Sequence, residues 1–308
     1  AFAQADWATP SEKSNYRITP RYDETMAYIR RVAAAAPKQV KIEQFGMTAG
    51  GYPLYSVIVA KDGTLTPAAA HQVNRAVVLV QNGIHAGESD GIDASLALLR
   101  DMVITKKQAK LLDHAVLVII PVYNVDGHER VSKYNRINQN GPEEMGFRTN
   151  AQNLNLNRDY MKADTPETRA WLRLWNEWNP DLFIDCHVTD GADYRCNITY
   201  HHEHHAGIDQ AVLDWERDVF DVKVKNATAA AGNVISWYLE FIDNRDLTLG
   251  TRDFNGSPRF STGYVPLRNR PGILIETHMI KDYRSRVIGT YDFLRAALTE
   301  VNNDPERL

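Results

Sequence analysis

Two side chains able to bind a metal ion, His85 and Glu88, stand three residues apart in this sequence. An imidazole and a carboxylate at that spacing can both turn toward one ion. Catalytic zinc sites take three protein ligands and leave the fourth position to water, so a third ligand must come from elsewhere in the chain. Alone, the pair is a frequent coincidence, equally compatible with a polar loop before a capped helix. Its meaning depends on the elements around it.

The pair lies between two segments with clear patterns. Residues 76–80 form a short apolar run rich in β-branched side chains, which predicts a buried strand. Between residues 92 and 103 the apolar positions recur at helical spacing. His85 and Glu88 are therefore expected on a loop that leaves the end of a strand and enters a helix. Open α/β sheets bind ligands in such crevices.

Three further apolar runs predict buried strands that end in polar residues. These runs, each with its adjoining polar residues, are 115–121 with Asn124 and Asp126, 181–186 with His187, and 272–275 with Glu276. If the strands are parallel, their carboxyl ends meet at one edge of the sheet.

At such an edge, His85, Glu88 and His187 form a zinc ligand set with one position left for water. Zinc acidifies its bound water, and a nearby carboxylate can accept the proton, so Glu276 is the candidate general base. Taken singly, His187 could be a hydrogen-bonded core histidine and Glu276 could pair with an arginine. Their joint occurrence favours a hydrolytic metal site.

The remaining periodicity alternates helices and strands, and the polar segment 128–161, which shows none, has the length of a functional loop. We expect an α/β fold with a mixed parallel and antiparallel sheet and helices on both faces. One domain should span residues 1–308, with residues 1–20 as an N-terminal extension. The other predicted elements are helices over 23–36, 165–178, 208–219, 228–239 and 284–301, and strands over 40–45 and 54–60.

The composition argues against several classes of partner. The 308 residues are 44% hydrophobic and 24% charged, which is typical of a globular protein with a large core. A formal charge of -4 and the lack of a Lys/Arg block leave no electrostatic footprint for nucleic acid. No apolar stretch approaches the length needed to span a bilayer. We expect neither nucleic-acid binding nor a membrane span.

Two features bear on the cellular compartment. The first four residues, Ala-Phe-Ala-Gln, resemble the tail of a cleaved secretory signal, so we expect a secreted or periplasmic protein, and otherwise a cytoplasmic one. Cys186 and Cys196 could pair in an oxidising compartment, but Cys186 lies within an apolar run and could equally be a buried thiol.

Residues 154–158, Leu-Asn-Leu-Asn-Arg, resemble the Asp-x-Asn-Arg signature of the zinc carboxypeptidases of the carboxypeptidase A type. The other motifs occur in that family's order: His-x-x-Glu upstream, an Asn-x-Asp-Gly turn before the long loop, a single His after it, and a strand-end Glu near the C-terminus. The resemblance covers about residues 22–298 and suggests a bacterial-like branch. It implies a mixed eight-stranded sheet flanked by helices.

The resemblance also implies a reaction, the hydrolysis of the C-terminal bond of a peptide with a free terminal carboxylate. One zinc ion is held by His85, Glu88 and His187, while Glu276 acts as general base and proton shuttle. The implied substrate ligands are Asn157 and Arg158 on the terminal carboxylate, where a bidentate guanidinium is well suited, and Arg148 on the scissile carbonyl and its oxyanion. Arg136 competes with Arg148 on spacing alone, and either could be a solvated loop charge.

Two positions depart from the family pattern. Asn155 stands where the family has an aspartate that orients the first zinc histidine. Its amide oxygen can accept the same hydrogen bond without a charge, so His85 should be a somewhat weaker ligand. Tyr264 lies closer to Glu276 than the family's mobile substrate-binding tyrosine does. It is either that residue on a shortened loop or a packing residue.

The family residue that sets side-chain preference should fall near residues 253–261, which do not align cleanly. Asp253 would favour basic terminal residues, whereas an arginine would favour acidic ones, and each could be a surface charge. The arginines concerned are Arg252, Arg259, Arg268 and Arg270. Residues 201–205, His-His-Glu-His-His, suggest metal binding by composition, but we interpret them as a polar rim loop capable of adventitious metal binding.

The predicted function is therefore that of a zinc metallocarboxypeptidase. Aspartoacylase-type deacylases, which cleave N-acyl amino acids, also resemble this pattern, but the N-terminal start and the length of chain after His187 fit a peptidase better. A catalytically inactive peptide-binding relative is the second alternative. Such a relative would lack a ligand or the base, and all four residues are present here.

Overall fold

The structure is a computed structural model that describes residues 6–73, 75–189 and 191–308. Eight strands form one sheet and two short strands form a separate hairpin. In chain order the strands are β1 (Val40–Met47), β2 (Pro53–Val59), β3 (Ala76–Asn82), β4 (Ala115–Ile120), β5 (Leu182–Thr189), β6 (Ile198–His202), β7 (Ile235–Trp237), β8 (Leu239–Phe241), β9 (Thr251–Asp253) and β10 (Gly272–His278).

The strand order in the large sheet is β1-β2-β4-β3-β5-β10-β6-β7. Its four central strands, β4, β3, β5 and β10, are mutually parallel. On one side β2 and β1 join antiparallel, and on the other side β6 joins β10 antiparallel. The predicted mixed eight-stranded sheet is confirmed, and the carboxyl ends of its central strands lie along one edge.

Ten α-helices are described, connected in places by single 3₁₀ turns. They are α1 (Pro10–Lys13), α2 (Tyr22–Ala35), α3 (Pro67–Gln72), α4 (Asp90–Val103), α5 (Val125–Glu129), α6 (Pro166–Trp178), α7 (Gln210–Glu216), α8 (Lys225–Ala230), α9 (Ser261–Tyr264) and α10 (Tyr283–Asn303). A π-helical segment, Arg217–Val224, joins α7 to α8.

Helices cover both faces of the sheet, as predicted. On β3, Val78 faces a core that includes apolar residues of α2, α4 and α10. The next residue, Leu79, faces the opposite core, where Trp171 and Trp175 of α6 pack. Because β3 is buried on both faces along its whole length, its sequence is a continuous apolar run rather than an alternation.

One predicted helix is partly wrong. The helix expected over 228–239 ends at Ala230, and Ile235–Trp237 forms β7 instead. Pairing of β7 with β6 extends the sheet, so a tertiary contact overrides the local helical pattern. The long polar segment contains only short turns of helix, the last of them at Leu156–Arg158.

Two other expectations can be compared with the structure. Cys186 and Cys196 are buried thiols that do not form a disulfide with each other. Across the described ranges, no helix is long and apolar enough to cross a membrane. The N-terminal Ala-Phe-Ala-Gln, on which the export prediction depends, lies outside the described residues.

Candidate metal centre and active-site cavity

Three metal-ligating side chains meet at the carboxyl edge of the sheet. His85 and Glu88 lie on the loop between β3 and α4, and His187 lies near the end of β5. One ligand atom from each residue lies within 4.8 Å of the other two, and all three residues are buried. Among the described residues, no other group of three His, Cys, Asp or Glu side chains converges in this way. Two imidazoles and a carboxylate suit catalytic zinc, so the residues present fit the predicted ion.

The loop that carries the first two ligands turns at Gly87. The φ of Gly87 is 97°, a left-handed conformation that glycine adopts without strain. A Cβ at this position would lie 2.6 Å from the carbonyl oxygen of Gly146. The resulting turn brings Glu88 Oε1 to 3.3 Å from His85 Nδ1, while Glu88 Oε2 lies 3.0 Å from His187 Nδ1.

Each histidine is held on its far side by an oxygen atom. His85 Nε2 lies 3.0 Å from Asn155 Oδ1, which is the contact expected from the sequence. His187 Nε2 lies 3.0 Å from Asp185 Oδ2. Such contacts fix the ring orientation and leave Nδ1 free to bind a metal.

Asp185 is a site residue that the sequence analysis missed. It precedes His187 by two residues on β5, so both side chains lie on the same face of the strand. Its carboxylate also accepts hydrogen bonds from Gln81 Nε2, at 3.0 Å, and from Ser261 Oγ. Side chains two residues apart in a strand lie on the same face, so the position of Asp185 relative to His187 could have identified it from the sequence.

The electrostatic environment differs between the two histidines. Burial lowers the pKa of His85 to about 4. Burial also opposes ionisation of Glu88, but His85 and Arg136 outweigh it and hold the pKa of Glu88 well below its usual range. For His187, burial is outweighed by the Asp185 carboxylate, which raises its pKa. A metal binds neutral imidazole and ionised carboxylate, so the raised pKa of His187 opposes metal binding at low pH.

Glu276 stands beside this group on the neighbouring strand. Glu276 is paired with His187 in the parallel register of β10 and β5. Both residues line a cavity at the edge of the sheet, which we call the active-site cavity. Glu276 Oε2 has no hydrogen-bond partner in the part of the chain that the structure describes. Burial raises the pKa of Glu276 to about 8; His187 lowers it and Glu88 raises it. An unpaired carboxyl group with a pKa near neutrality is suited to proton transfer.

Both candidate arginines reach Glu88. Arg136 Nη1 lies 2.8 Å from Glu88 Oε1, and its other nitrogens bond Gln139 and the Val188 carbonyl, so Arg136 is buried and fixed. Arg148 Nη1 lies 3.2 Å from the same oxygen, but its side chain is 44% exposed. Of the two, Arg148 lines the cavity.

Asn157 and Arg158 also line the cavity. The Arg158 guanidinium lies 3.9 Å from the centre of the Phe260 ring. Burial and the nearby Arg148 lower the pKa of Arg158 from its ordinary value. Asn157 Oδ1 accepts a hydrogen bond from Ser261 N at 2.8 Å, so this oxygen is already bonded to the backbone of α9.

Tyr264 is not brought to the cavity. The centre of its ring lies 6.1 Å from that of Tyr160 and 6.2 Å from that of Trp171. Its hydroxyl accepts a hydrogen bond from Arg268. Of the two interpretations that the sequence left open, the packing role matches this position. The tyrosine that does line the cavity is Tyr238, whose pKa is raised by burial and by the nearby carboxylates.

The cavity has a volume of about 130 Å³, and both polar and apolar side chains form its walls. Besides Tyr238, the wall residues that the sequence analysis did not identify are Glu240, Phe254, Phe260, Thr262 and Leu274. They come from β8, α9 and β10 and from the loops between these elements, so no single motif could have assembled them.

None of the charged residues weighed for side-chain preference lines this cavity. Asp253 bonds Trp237 Nε1 at 2.9 Å, and Arg252 pairs with Glu240 at 3.1 Å. Arg268 bonds Asn176, and Arg270 lies 3.9 Å from Asp181. Arg259 is exposed. Besides Glu276, the acidic residue of the cavity wall is Glu240.

The predicted polar loop matches only the end of the histidine run, where His204 lies beyond the strand and is exposed. His201 and His202 are the last residues of β6 and are buried. His202 Nε2 lies 3.2 Å from Asp221, and His204 Nε2 lies 2.7 Å from Asp253. The side chains of His201 and His202 lie within the sheet because β6 pairs with β10.

A comparison with family models matches residues 25–239 to the zinc carboxypeptidases. Carboxypeptidase 2 of Trichophyton tonsurans is 25% identical over 225 residues, which cover 69% of this chain and 38% of that protein. Carboxypeptidase 2 of Trichophyton rubrum is 24% identical over the same length. The chain thus matches about two fifths of the length of these curated relatives.

Solved structures share the fold. A metallo-carboxypeptidase from Burkholderia cenocepacia has a TM-score of 0.66 at 16% identity, covering 92% of this chain and 69% of that one. A metallo-carboxypeptidase from Pseudomonas aeruginosa, solved with (2-guanidinoethylmercapto)succinic acid, has a TM-score of 0.62 at 16% identity, covering 89% and 68%.

Proposed function

Because the chain belongs to the zinc carboxypeptidase family, we propose that it hydrolyses the C-terminal bond of peptides in a zinc-dependent reaction. The observation that carries this proposal is the convergence of His85, Glu88 and His187 within 4.8 Å beside Glu276, whose Oε2 has no hydrogen-bond partner among the described residues. A peptide with a free terminal carboxylate is the proposed substrate.

His85, Glu88 and His187 would hold the zinc ion through two Nδ1 atoms and a carboxylate oxygen. When bound, the ion polarises the scissile carbonyl and acidifies a water molecule. Asn155 and Asp185 keep the two imidazoles turned toward the centre. With three protein ligands, such a site would have room for a water molecule as the fourth.

Glu276 moves the proton. In this proposal its carboxylate accepts a proton from the attacking water and delivers it to the nitrogen of the leaving amine. Its Oε2 is free for this role because it is bound to no other described group. The buried position raises its pKa, which makes Glu276 a stronger base toward the attacking water than an exposed glutamate.

Two arginines orient the peptide. Arg158 binds the terminal carboxylate, and stacking on Phe260 holds the plane of its guanidinium. Arg148 donates to the carbonyl oxygen as negative charge develops there. The neighbour that binds a succinic acid derivative supports a cavity of this kind that accepts carboxylates.

A scan of N-blocked dipeptides that differ in the terminal residue, with and without a chelator, tests the proposal. We expect hydrolysis that a chelator abolishes and zinc restores. Glu276→Gln should lower kcat by at least about a thousandfold, while the exposed control Glu177→Gln should leave it unchanged.

Three results would contradict the proposal. Turnover of N-acyl amino acids alone would identify a deacylase instead. A purified protein that contains no zinc and has no activity would indicate a catalytically inactive, peptide-binding member of the family. Full activity in Glu276→Gln would remove Glu276 from the reaction while leaving the metal centre in place.

A further inference from the structure

A second cavity, of about 420 Å³, lies on the other side of the segment that walls the active site. We call it the Trp237 cavity. The residues on which the inference depends are His202, His204, Arg217, Asp221, Trp237 and Asp253. Trp237 and Asp253 line this cavity, whereas the next residue after each of them, Tyr238 and Phe254, lines the active-site cavity. The two cavities are therefore separate.

Two carboxylates of this cavity are held in place but remain partly exposed. Asp253 accepts from Trp237 Nε1 at 2.9 Å and contacts His204 Nε2 at 2.7 Å. Asp221 uses one oxygen, Oδ1, for both Tyr200 and His202. The side chains of Asp221 and Asp253 are 33% and 37% exposed. Fixed carboxylates at a cavity wall attract cations.

The cationic residue of the lining does not cancel this charge. The Arg217 guanidinium lies 2.9 Å from Asp214 and 3.3 Å from Asp218. Asp218 also pairs with Arg307, so Asp214 is the carboxylate that mainly balances Arg217, whose side chain is 59% exposed. The lining holds two carboxylates and one guanidinium, so its formal charge is negative.

The indole of Trp237 adds an aromatic surface. Its ring centre lies 4.9 Å from those of His201 and His202 and 5.6 Å from that of His204. These rings fix the indole. An indole is the best aromatic partner for a cation, and neighbouring carboxylates strengthen the attraction.

One buried side chain of the lining, His202, is held between two acids. His202 lines the cavity and is 4% exposed, yet its Nδ1 makes no hydrogen bond with the described residues. Nδ1 instead faces Oε2 of Glu216 at 3.4 Å, and Nε2 lies 3.2 Å from Asp221. These acids fix the imidazole at the cavity wall next to Trp237.

We propose that the Trp237 cavity binds an organic cation, a guanidinium or ammonium group, against the indole and between Asp221 and Asp253. The same residues do not form a metal site, because in the described chain their ligand atoms do not converge as those of His85, Glu88 and His187 do. A peptide side chain and a free amine share this chemistry. The proposal is independent of the peptidase reaction.

Titration of the zinc-loaded protein with agmatine tests the proposal. Agmatine carries a guanidinium and an ammonium group but no carboxylate, so Arg158 has nothing to bind. The probe is the indole N–H signal of Trp237 in ¹⁵N-labelled protein, assigned from Trp237→Phe. We expect saturable shifts with a Kd below about 1 mM, and none with the neutral pentylurea.

Variants of the charged residues test each contribution to binding. Asp253→Asn and Asp221→Asn should each weaken agmatine binding about tenfold, whereas the exposed control Asp243→Asn on the same hairpin should not. Arg217→Gln should tighten binding about threefold, and this exposed change does not threaten folding. Hydrolysis of a dipeptide checks that every variant is folded.

Two peptides that differ only in one side chain show whether the natural ligand is a peptide side chain or a free amine. If an amidated peptide with an internal arginine binds as well as agmatine and its citrulline analogue does not bind, the cavity is a site for a peptide side chain. If agmatine binds and neither peptide does, the cavity is a site for free amines. Either result supports the proposal. No shift with agmatine, equal shifts with pentylurea, unchanged affinity in both aspartate variants, or a response to Zn²⁺ in place of agmatine overturns it.

Discussion

The amide oxygen of Asn155 lies 3.0 Å from Nε2 of His85, on the side of the ring opposite Glu88. The same oxygen accepts from the backbone N–H of Asn157 at 3.0 Å, so the side chain cannot swing away without cost. A neutral acceptor thus orients His85, whereas the charged Asp185 orients His187.

This asymmetry predicts the effect of exchanging the acceptor. Asn155→Asp should keep or raise zinc affinity, by up to about tenfold, because a carboxylate makes the imidazole more basic. Asn155→Ala should lower it by about 10- to 100-fold. Competition with a chromophoric chelator measures both. A sharp loss of affinity in Asn155→Asp would refute the role given to this residue.

The two tyrosines near the site should respond differently. Tyr238→Phe removes the hydroxyl of a cavity-lining residue and should lower kcat/KM about tenfold, the value of one hydrogen bond. Tyr264→Phe removes only a contact to the exposed Arg268 and should change kcat/KM less than about twofold. Steady-state kinetics on one dipeptide compares them. The reverse order would restore Tyr264 as the substrate ligand.

Arg158 should not be replaceable by lysine. Arg158→Lys keeps the charge but loses the planar fork and the stacking on Phe260. We expect KM to rise about 10- to 100-fold with a smaller change in kcat, because binding of the terminal carboxylate is what is lost. The exposed Arg259→Lys is the matched control. An unchanged KM in Arg158→Lys would place the carboxylate elsewhere.

A buried aspartate below the site should make stability depend on pH. Burial raises the pKa of Asp93 to about 7, opposed by the hydrogen bond that Tyr283 donates. The folded state therefore keeps a proton that the unfolded chain, with an ordinary pKa of 3.8, has lost. As a result, the free energy of unfolding falls as pH rises from about 4 to 7, by about 4 kcal/mol from this group.

Asp93→Asn is neutral at every pH and should remove that dependence. Urea unfolding at several pH values, with chelator present so that metal binding does not contribute, measures the slope. The exposed Asp23→Asn serves as the control and should keep the slope of the unmodified chain. A slope that is equal in all three proteins would show that Asp93 ionises normally.

Much of the metal centre could be predicted from the sequence. Buried parallel strands are continuous apolar runs, and the polar residues that follow such runs must lie toward one edge of the sheet. The residues in such positions are His85, Glu88, His187 and Glu276. Local periodicity and strand ends are sufficient for this inference. The family motifs added the roles of Asn155 and Arg158.

The tertiary structure alone decided the rest of the cavity. Tyr238 lines it and Tyr264 does not, because the segment between β7 and β10 places one tyrosine in the cavity with His187 and Glu276 and packs the other against Trp171. The same packing places Asp253 against Trp237 and not in the active site. Sequence spacing records local geometry, whereas these positions depend on contacts between residues far apart in the chain, which no local pattern encodes.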